Sequence, residues 1–139
     1  MVALLAATAL WATVNVCDTP AHPETIGIRA SMPGAPRRAR AAMRFTVQYR
    51  TPAGWRAVGG ADSGWRAVGT THGAAIESGW TFRFAAPAQP VQLRGTVRFR
   101  WRRHGHTVRQ ARRTTAGGHH SPTGSDPPGY SAATCALSS

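Results

Sequence analysis

Hydrophobic and polar residues alternate along three stretches of the chain, with a period of two residues rather than 3.6. The stretches are Met43–Tyr49, Trp80–Phe84 and Val91–Trp101. Because successive side chains of a strand point to opposite faces, each stretch predicts a strand with one buried face and one solvent-exposed face, which we call the dry and the wet face. No stretch of the chain stands out as an amphipathic helix.

Turn signals separate the alternating stretches. The letters TPAG at Thr51–Gly54 and HG at His104 and Gly105 are typical of tight reversals between neighbouring strands. Half-dry strands joined by hairpins are typical of antiparallel sheets packed face to face. We therefore expect an all-β fold, an antiparallel two-sheet sandwich.

The letters WRAVG occur twice, at 55–59 and at 65–69. A repeat array needs about three copies to bury a shared core, so two copies do not indicate one. We interpret them as two similar short strands, the first returning from the hairpin at Thr51–Gly54. On this interpretation the dry faces hold Trp55, Trp80 and Trp101, which argues against a carbohydrate-binding module that uses exposed tryptophans.

Two segments resemble known β-sandwiches. The letters MRFTVQYRTPAGWRAV resemble a strand, turn and tryptophan-bearing return strand of immunoglobulin-like and fibronectin type III domains, and VQLRGTVRFRWRRHGHTVRQARRTT resembles their last hairpin. With VCDTPAHPETIGIRASMPG, GADSGW and GYSAATC, the whole chain resembles small secreted actinobacterial proteins that have no assigned activity. The resemblance implies export and a compact β-domain, and it carries over no catalytic residue.

The N-terminal residues 1–13 are predicted to be an export signal, because an apolar run from Val2 to Val14 turns polar at Asp18. Cleavage would fall near Ala12. No basic residue precedes the run, so a signal truncated at its start is one alternative, and a buried first strand is another. The run is shorter than the roughly 20 residues of a membrane span, and no other stretch comes close. Residues 14–139 are expected to form one secreted domain with a loop at 115–129.

The chain has two cysteines, Cys17 and Cys135, near its two ends. In an exported protein an even count predicts a disulfide bond between them. A zinc site with Asp18, His22, His119 and His120 is the alternative, but no CxxC or HxxxH spacing supports it.

The 139-residue chain has 17 arginines, no lysine and five acids, a formal net charge of +12. Such a surface attracts polyanions and repels its own copies, so we expect a monomer that binds an anionic polymer or a membrane or cell-wall surface. GC-rich coding is an alternative reason for the absence of lysine, but it does not explain the excess of cations. The expected site is a row of arginines on the wet face of one sheet, namely Arg94, Arg98, Arg100, Arg102 and Arg109. The alternative is a face that is only solvated.

The register of the last hairpin decides which arginines share that face. A two-residue turn at His104 and Gly105 predicts that Trp101 faces Val108 and that Arg100 faces Arg109. Strict alternation would then point Gln110 and Arg112 inward, so we expect a β-bulge near Arg109–Ala111.

No complete catalytic, metal or cofactor motif is present. The Asp-Ser-Gly around Ser63 resembles part of a serine protease motif, but its flanks differ and a turn explains it better. His119, His120 and Asp126 lie in a polar loop and could contact a metal only transiently. We therefore predict no cofactor and no metal, with a small hydrolase or a carbohydrate-binding module as alternatives to non-catalytic binding.

Overall fold

The computed structural model describes residues 9–119 and 122–138. Within them it contains eight β-strands: β1 (Trp11–Thr19), β2 (His22–Met32), β3 (Ala39–Thr51), β4 (Gly54–Thr71), β5 (Ile76–Arg83), β6 (Val91–Arg103), β7 (His106–Thr114) and β8 (Cys135–Leu137). Residues 1–8, which include most of the predicted export signal, lie outside the described part of the chain. Among the described residues no helix is long and apolar enough to cross a membrane.

The strands form two antiparallel sheets that pack against each other, which confirms the predicted sandwich. One sheet has the order β1-β2-β5; the other has the order β4-β3-β6-β7, with β8 also paired to β6. We call them the three-stranded and the five-stranded sheet. The sheets approach closely at Gly95, where an added Cβ would lie 2.5 Å from the Ile28 side chain.

The core lies between the sheets and comes from the alternation of the strands. On β3 the odd-numbered residues Met43, Phe45 and Val47 are fully buried. On β6 Phe99 and Trp101 point the same way, and the Trp101 Nε1–H donates a 2.9 Å hydrogen bond to the Pro33 carbonyl. The polar residues that alternate with these buried ones therefore form the outer face of the five-stranded sheet.

The two WRAVG copies lie on one long strand, β4, so the prediction of two separate strands was wrong. Trp55 pairs with Arg50 and Trp65 pairs with Arg44 of β3, so ten residues of β4 span only six residues of β3. Register shifts absorb the difference, and two of them contain Gly60 (φ +81°) and Gly64 (φ +66°). Glycine suits such β-bulges because it adopts positive φ without a steric cost.

The β6–β7 hairpin turns at His104 and Gly105 as predicted, but the pairing register of its two strands differs from the prediction. Past the turn one extra residue, Val108, shifts the pairing, so Trp101 lies opposite Arg109 rather than opposite Val108. Arg100 consequently pairs with Gln110 and not with Arg109. The bulge lies closer to the turn than the expected Arg109–Ala111 position.

The described residues between β7 and β8, 115–119 and 122–134, include segments that lie beside β1. Val14 exchanges backbone hydrogen bonds with Ala132 at 2.9 and 3.0 Å, and Thr13 Oγ1 lies 2.6 Å from Ser131 Oγ. The segment of β1 that overlaps the predicted signal is itself structured, because Ala12 and Thr13 are buried. The predicted disulfide bond between Cys17 and Cys135 is present and joins β1 to β8.

Candidate anion-binding face

Arginine side chains cover the outer face of the five-stranded sheet. We define the arginine face as the outward-pointing arginines of β3, β6 and β7 that lie within the β3–β6 and β6–β7 pairings, namely Arg40, Arg44, Arg94, Arg98, Arg100, Arg102 and Arg112. Four of the five predicted site residues, Arg94, Arg98, Arg100 and Arg102, belong to it. They occupy even positions of β6, where the odd-numbered residues from Leu93 to Trp101 are buried.

Arginines on the face lie directly opposite one another. Arg98 of β6 pairs with Arg44 on one side and with Arg112 on the other, and Arg102 pairs with Arg40. Neighbouring strands are about 4.8 Å apart, and like charges directly opposite each other destabilise a sheet. Arginines therefore do face each other on this sheet, but the pairs differ from the predicted pair of Arg100 and Arg109.

Arg109, the fifth predicted residue, is not on this face. Because of the bulge at Val108 it lies opposite Trp101 and shares the inward side of β7. Its guanidinium carbon lies 4.6 Å from the centre of the Trp101 ring, which places the cation over the edge of the core. Arg109 is therefore separated from Arg98 and Arg100 by the sheet.

Two arginines of the face are stacked on tryptophans of β4. The guanidinium carbon of Arg94 lies 4.4 Å from the centre of the Trp55 ring, and that of Arg100 lies 4.1 Å from the centre of the Trp65 ring. Trp55 was expected on a buried face but is outward, because it pairs with the outward Arg50. Each tryptophan reaches across β3 to β6, so the repeat supplies two matching cation–π contacts.

Trp80 and Trp101 do lie on the inward side. Trp101 is almost completely buried, and Trp80 packs against the core from the edge strand β5. Arg66 of β4 covers Trp80, with its guanidinium carbon 4.6 Å from the ring centre.

Asp62 is the acid that β4 contributes to the face. Its carboxylate accepts two hydrogen bonds from the Arg44 guanidinium, one of them 2.9 Å long from Nε. With a further bond from the Gly64 N–H, the contact with Arg44 lowers the pKa of Asp62 to about 2. One positive charge of the face is therefore neutralised by the protein itself.

The remaining arginines differ in whether their guanidinium groups already donate hydrogen bonds to other groups of the protein. Arg94 Nε donates to Gln48 Oε1 at 2.8 Å, and Arg102 Nη2 donates to the Gly105 carbonyl at 2.7 Å. Arg98 and Arg112 have exposed side chains that donate no hydrogen bond within the described residues. Burial, and to a lesser extent the charge of Arg112, lower the pKa of Arg94. An external anion would thus find Arg98 and Arg112 available.

Several residues of the face were missed from the sequence. The alternation of β3 contained the signal for Arg44, since Met43 and Phe45 on either side were assigned to the dry face. No local signal placed Asp62 or Trp65 there, because the bulges of β4 break its alternation; for Trp55 the signal was the polar Arg50 opposite it across the turn at Thr51–Gly54.

Ser63 has a structural role at one of these bulges. Its Oγ accepts a 2.9 Å hydrogen bond from the Phe45 N–H and donates a 2.7 Å bond to the Gly64 carbonyl. Its neighbour Asp62 is engaged with Arg44, and no described histidine bonds to either residue. The serine protease interpretation therefore has no support in the geometry.

The described histidines and acids do not form a metal cluster; within residues 9–119 and 122–138 no three potential ligands lie together. His119 stacks on Trp11, with ring centres 4.5 Å apart, and burial lowers its pKa. Asp126 instead accepts hydrogen bonds from Thr19 and from His22 Nδ1, the latter 3.0 Å long, which lower its pKa. The proposed metal contact also included His120, which lies outside the described residues.

Comparisons with known proteins identify no family for this chain. No protein-family model matches it, and no curated protein sequence matches it. Among solved structures it is similar to the Pseudomonas fluorescens alkylpurine DNA glycosylase AlkC bound to DNA containing an abasic site analog, at 16% identity and a TM-score of 0.31. The match covers 76% of this chain and 28% of the glycosylase chain.

Proposed function

We propose that this protein is a non-catalytic module that binds an anionic polymer or surface through the arginine face. The observation that carries the proposal is the row of Arg44, Arg98 and Arg112 on three adjacent strands, in which three cations share the single carboxylate of Asp62, hydrogen-bonded to Arg44. A bound phosphate or carboxylate would relieve the repulsion between Arg98 and Arg112. Guanidinium groups bind both kinds of anion through two parallel hydrogen bonds.

The two tryptophan stacks support this function because they order Arg94 and Arg100, which lie on β6 on either side of Arg98. Arg94 and Arg100 are held against Trp55 and Trp65, so their side chains lose little further conformational freedom when an anion arrives. The same stacks weaken the carbohydrate-binding alternative. One ring face of each outward tryptophan is covered by a guanidinium group, which reduces the ring surface on which a sugar could stack.

We also propose a finer assignment of fold and location. The first, second and fifth strands share one sheet and the third, fourth, sixth and seventh share the other, which supports a fibronectin type III or immunoglobulin-like sandwich. The disulfide supports export, since such bonds persist in oxidising compartments. A net charge of +12 favours a monomer, because copies repel each other. These features agree with a small secreted protein of actinobacterial type, working at a cell wall or membrane surface.

A salt series tests the proposed function. Binding of the protein to long-chain inorganic polyphosphate, and to phosphatidylcholine vesicles containing phosphatidylglycerol, is measured at increasing salt. The test variant is Arg98→Ala/Arg112→Ala. The control is Arg56→Ala/Arg83→Ala, which removes the same charge from exposed positions outside the arginine face.

The parent is expected to bind both probes with an affinity that falls as salt rises. The test variant should bind more weakly, with a salt slope smaller by about one for each contact that is lost. The control should stay close to the parent. Equal affinities for the two variants at every salt concentration would show that net charge, and not this face, determines binding.

A further inference from the structure

A second basic feature lies at one end of the five-stranded sheet. It is a cleft of about 950 Å³ between the β2–β3 loop and the β6–β7 hairpin. Five arginines and one histidine line it, namely Arg37, Arg38, Arg40, Arg102, Arg103 and His104, and its lining contains no acid. We call it the arginine cleft.

The loop that forms one wall is fixed over its first residues, 33–35. At its start the Trp101 indole donates to the Pro33 carbonyl, and Gly73 N–H donates a 3.1 Å bond to the Ala35 carbonyl. The backbone at Gly34 is so close to the neighbouring chain that an added Cβ would lie 2.4 Å from the carbonyl carbon of Gly73. The wall is therefore preorganised and need not be ordered by a ligand.

Arg103 joins this wall to the opposite one. Its Nε donates to the Arg38 carbonyl at 3.2 Å and its Nη2 donates to the Arg37 carbonyl at 3.4 Å. Arg103 thus uses its donors on the backbone and acts as a positioning residue. The side chains of Arg37 and Arg38 are exposed and donate no hydrogen bond within the described residues.

The size and charge of the cleft indicate the class of ligand. Its volume lies near the upper end of the roughly 300–1,000 Å³ that small-molecule sites occupy, which is more space than one phosphate needs. With Arg37 and Arg38 on one wall and Arg40 and Arg102 on the other, the guanidinium groups can contact several phosphates at once. Arg40 and Arg102 also belong to the arginine face, so the cleft and the face form one continuous basic surface.

We propose that the arginine cleft binds consecutive phosphate groups of a linear polyanion, either a free polyphosphate or the phosphates of a longer polymer. The proposal rests on the proposed function and adds a second, multidentate site to it. Because the walls are preorganised, the cleft should prefer linked phosphates to a single one. A longer polymer would continue from the cleft onto the face through Arg40 and Arg102.

The test compares inorganic orthophosphate, tripolyphosphate and long-chain polyphosphate by isothermal titration calorimetry at fixed salt. The cleft variant is Arg37→Ala/Arg38→Ala, whose exposed side chains make no hydrogen bond that the fold requires. The matched control is the face variant Arg98→Ala/Arg112→Ala, which removes the same charge. Thermal unfolding of each variant checks that the fold is retained.

Tripolyphosphate is expected to bind the parent at least about tenfold more tightly than orthophosphate, because more charge-assisted contacts form. The cleft variant should lose about tenfold to hundredfold in affinity for tripolyphosphate, while the face variant should remain within about twofold of the parent. If the cleft variant loses less affinity for long-chain polyphosphate than for tripolyphosphate, the longer polymer also contacts the arginine face.

Two results would overturn the proposal while the proposed function survives. One is equal loss of tripolyphosphate affinity in the cleft and face variants, which would mean that tripolyphosphate binds across the arginine face and has no separate site in the cleft. The other is binding of the long chain without binding of tripolyphosphate, which would leave the face as the site. If the parent binds no anion at all, the proposed function fails together with the cleft.

Discussion

The guanidinium carbon of Arg100 lies 4.1 Å from the centre of the Trp65 ring, and this contact joins β6 to β4 across the strand between them. The Trp55–Arg94 contact repeats the arrangement six residues away on β6. The two copies of WRAVG are therefore placed by the bulges of β4 so that each tryptophan reaches an outward arginine. The repeat is a structural part of the arginine face.

A double-mutant cycle should measure the coupling between Trp65 and Arg100. We expect Trp65→Ala and Arg100→Ala to be coupled by about 0.5–1 kcal/mol in the free energy of unfolding, the range for partly exposed cation–π contacts. Denaturant unfolding of the parent, the two single variants and the double variant provides the value. The control cycle pairs Trp55→Ala with Arg100→Ala and should be additive within about 0.5 kcal/mol. Equal coupling in both cycles would contradict a specific stack.

The sequence predicted the strands whose alternation is uninterrupted. Along Ala39–Val47 of β3 and Leu93–Trp101 of β6 every odd-numbered residue is buried, so the burial of Phe99 and Trp101 and the outward direction of Arg98 followed from the period. β2 has the same alternation at Ile26, Ile28 and Ala30. In β1 the apolar run suggested an export signal instead of a strand.

Arg109 lies beside a bulge, because one extra residue at Val108 moves it from the predicted arginine row to the core edge. Trp55 is outward because the hairpin turn places it opposite Arg50, before the register shifts of β4 begin. A bulge reverses the direction of every side chain that follows it, and its position depends on pairing with another strand. Alternation within β4 or β7 alone could not show where these shifts occur.

Truncation of Trp101 should be among the most destabilising changes in the five-stranded sheet. Its side chain is 1% exposed, so Trp101→Ala is expected to lower the free energy of unfolding by about 3–5 kcal/mol, as for other large-to-small core changes. Trp101→Phe keeps a ring but leaves the buried Pro33 carbonyl without its donor, a cost of about 1–3 kcal/mol. Denaturant unfolding measures both variants. A loss near zero for Trp101→Ala would mean that this face is not buried.

Gly64 and Gly59 offer a matched test of the bulges in β4. An added Cβ meets nothing within 4 Å at either position, but Gly64 has φ +66° whereas Gly59 has no positive φ. Gly64→Ala should therefore cost about 1–2 kcal/mol through backbone strain alone. Gly59→Ala should be neutral, or stabilising by up to about 1 kcal/mol. Thermal unfolding of the two variants decides this, and equal effects would argue against a bulge at Gly64.

The disulfide bond should be complete in the protein isolated without reductant and should contribute substantially to stability. Thiol titration of the denatured, unreduced chain is expected to detect no free cysteine, whereas two reactive thiols would contradict the bond. Cys17 and Cys135 are 118 residues apart. In the chain-entropy model, closing a loop of that length stabilises the fold by about 4–5 kcal/mol, which the Cys17→Ala/Cys135→Ala variant should lose.

Asp62 should make stability depend on pH in the acid range. The pKa of its carboxyl group is about 2 in the folded protein, chiefly because Arg44 donates hydrogen bonds to it, and is about 3.9 in an unfolded chain. The unfolded state therefore binds more protons, so the stabilisation is present above about pH 4 and is lost as the pH falls towards 2. The side chain of Asp62 is 39% exposed, so we expect the stabilisation to stay below about 1 kcal/mol.

The Asp62→Asn variant tests this pair and its link to function. It should be less stable than the parent at pH 7, and the difference should shrink as the pH is lowered from 5 to about 2. Glu77→Gln is the control: Glu77 is similarly exposed, but its contact with Arg29 is longer, 3.8 Å, so the effect should be smaller. Because Arg44 loses its partner, Asp62→Asn should also bind polyphosphate more tightly at neutral pH. A difference in stability that does not change with pH, together with unchanged affinity, would show that Asp62 does not neutralise the arginine face.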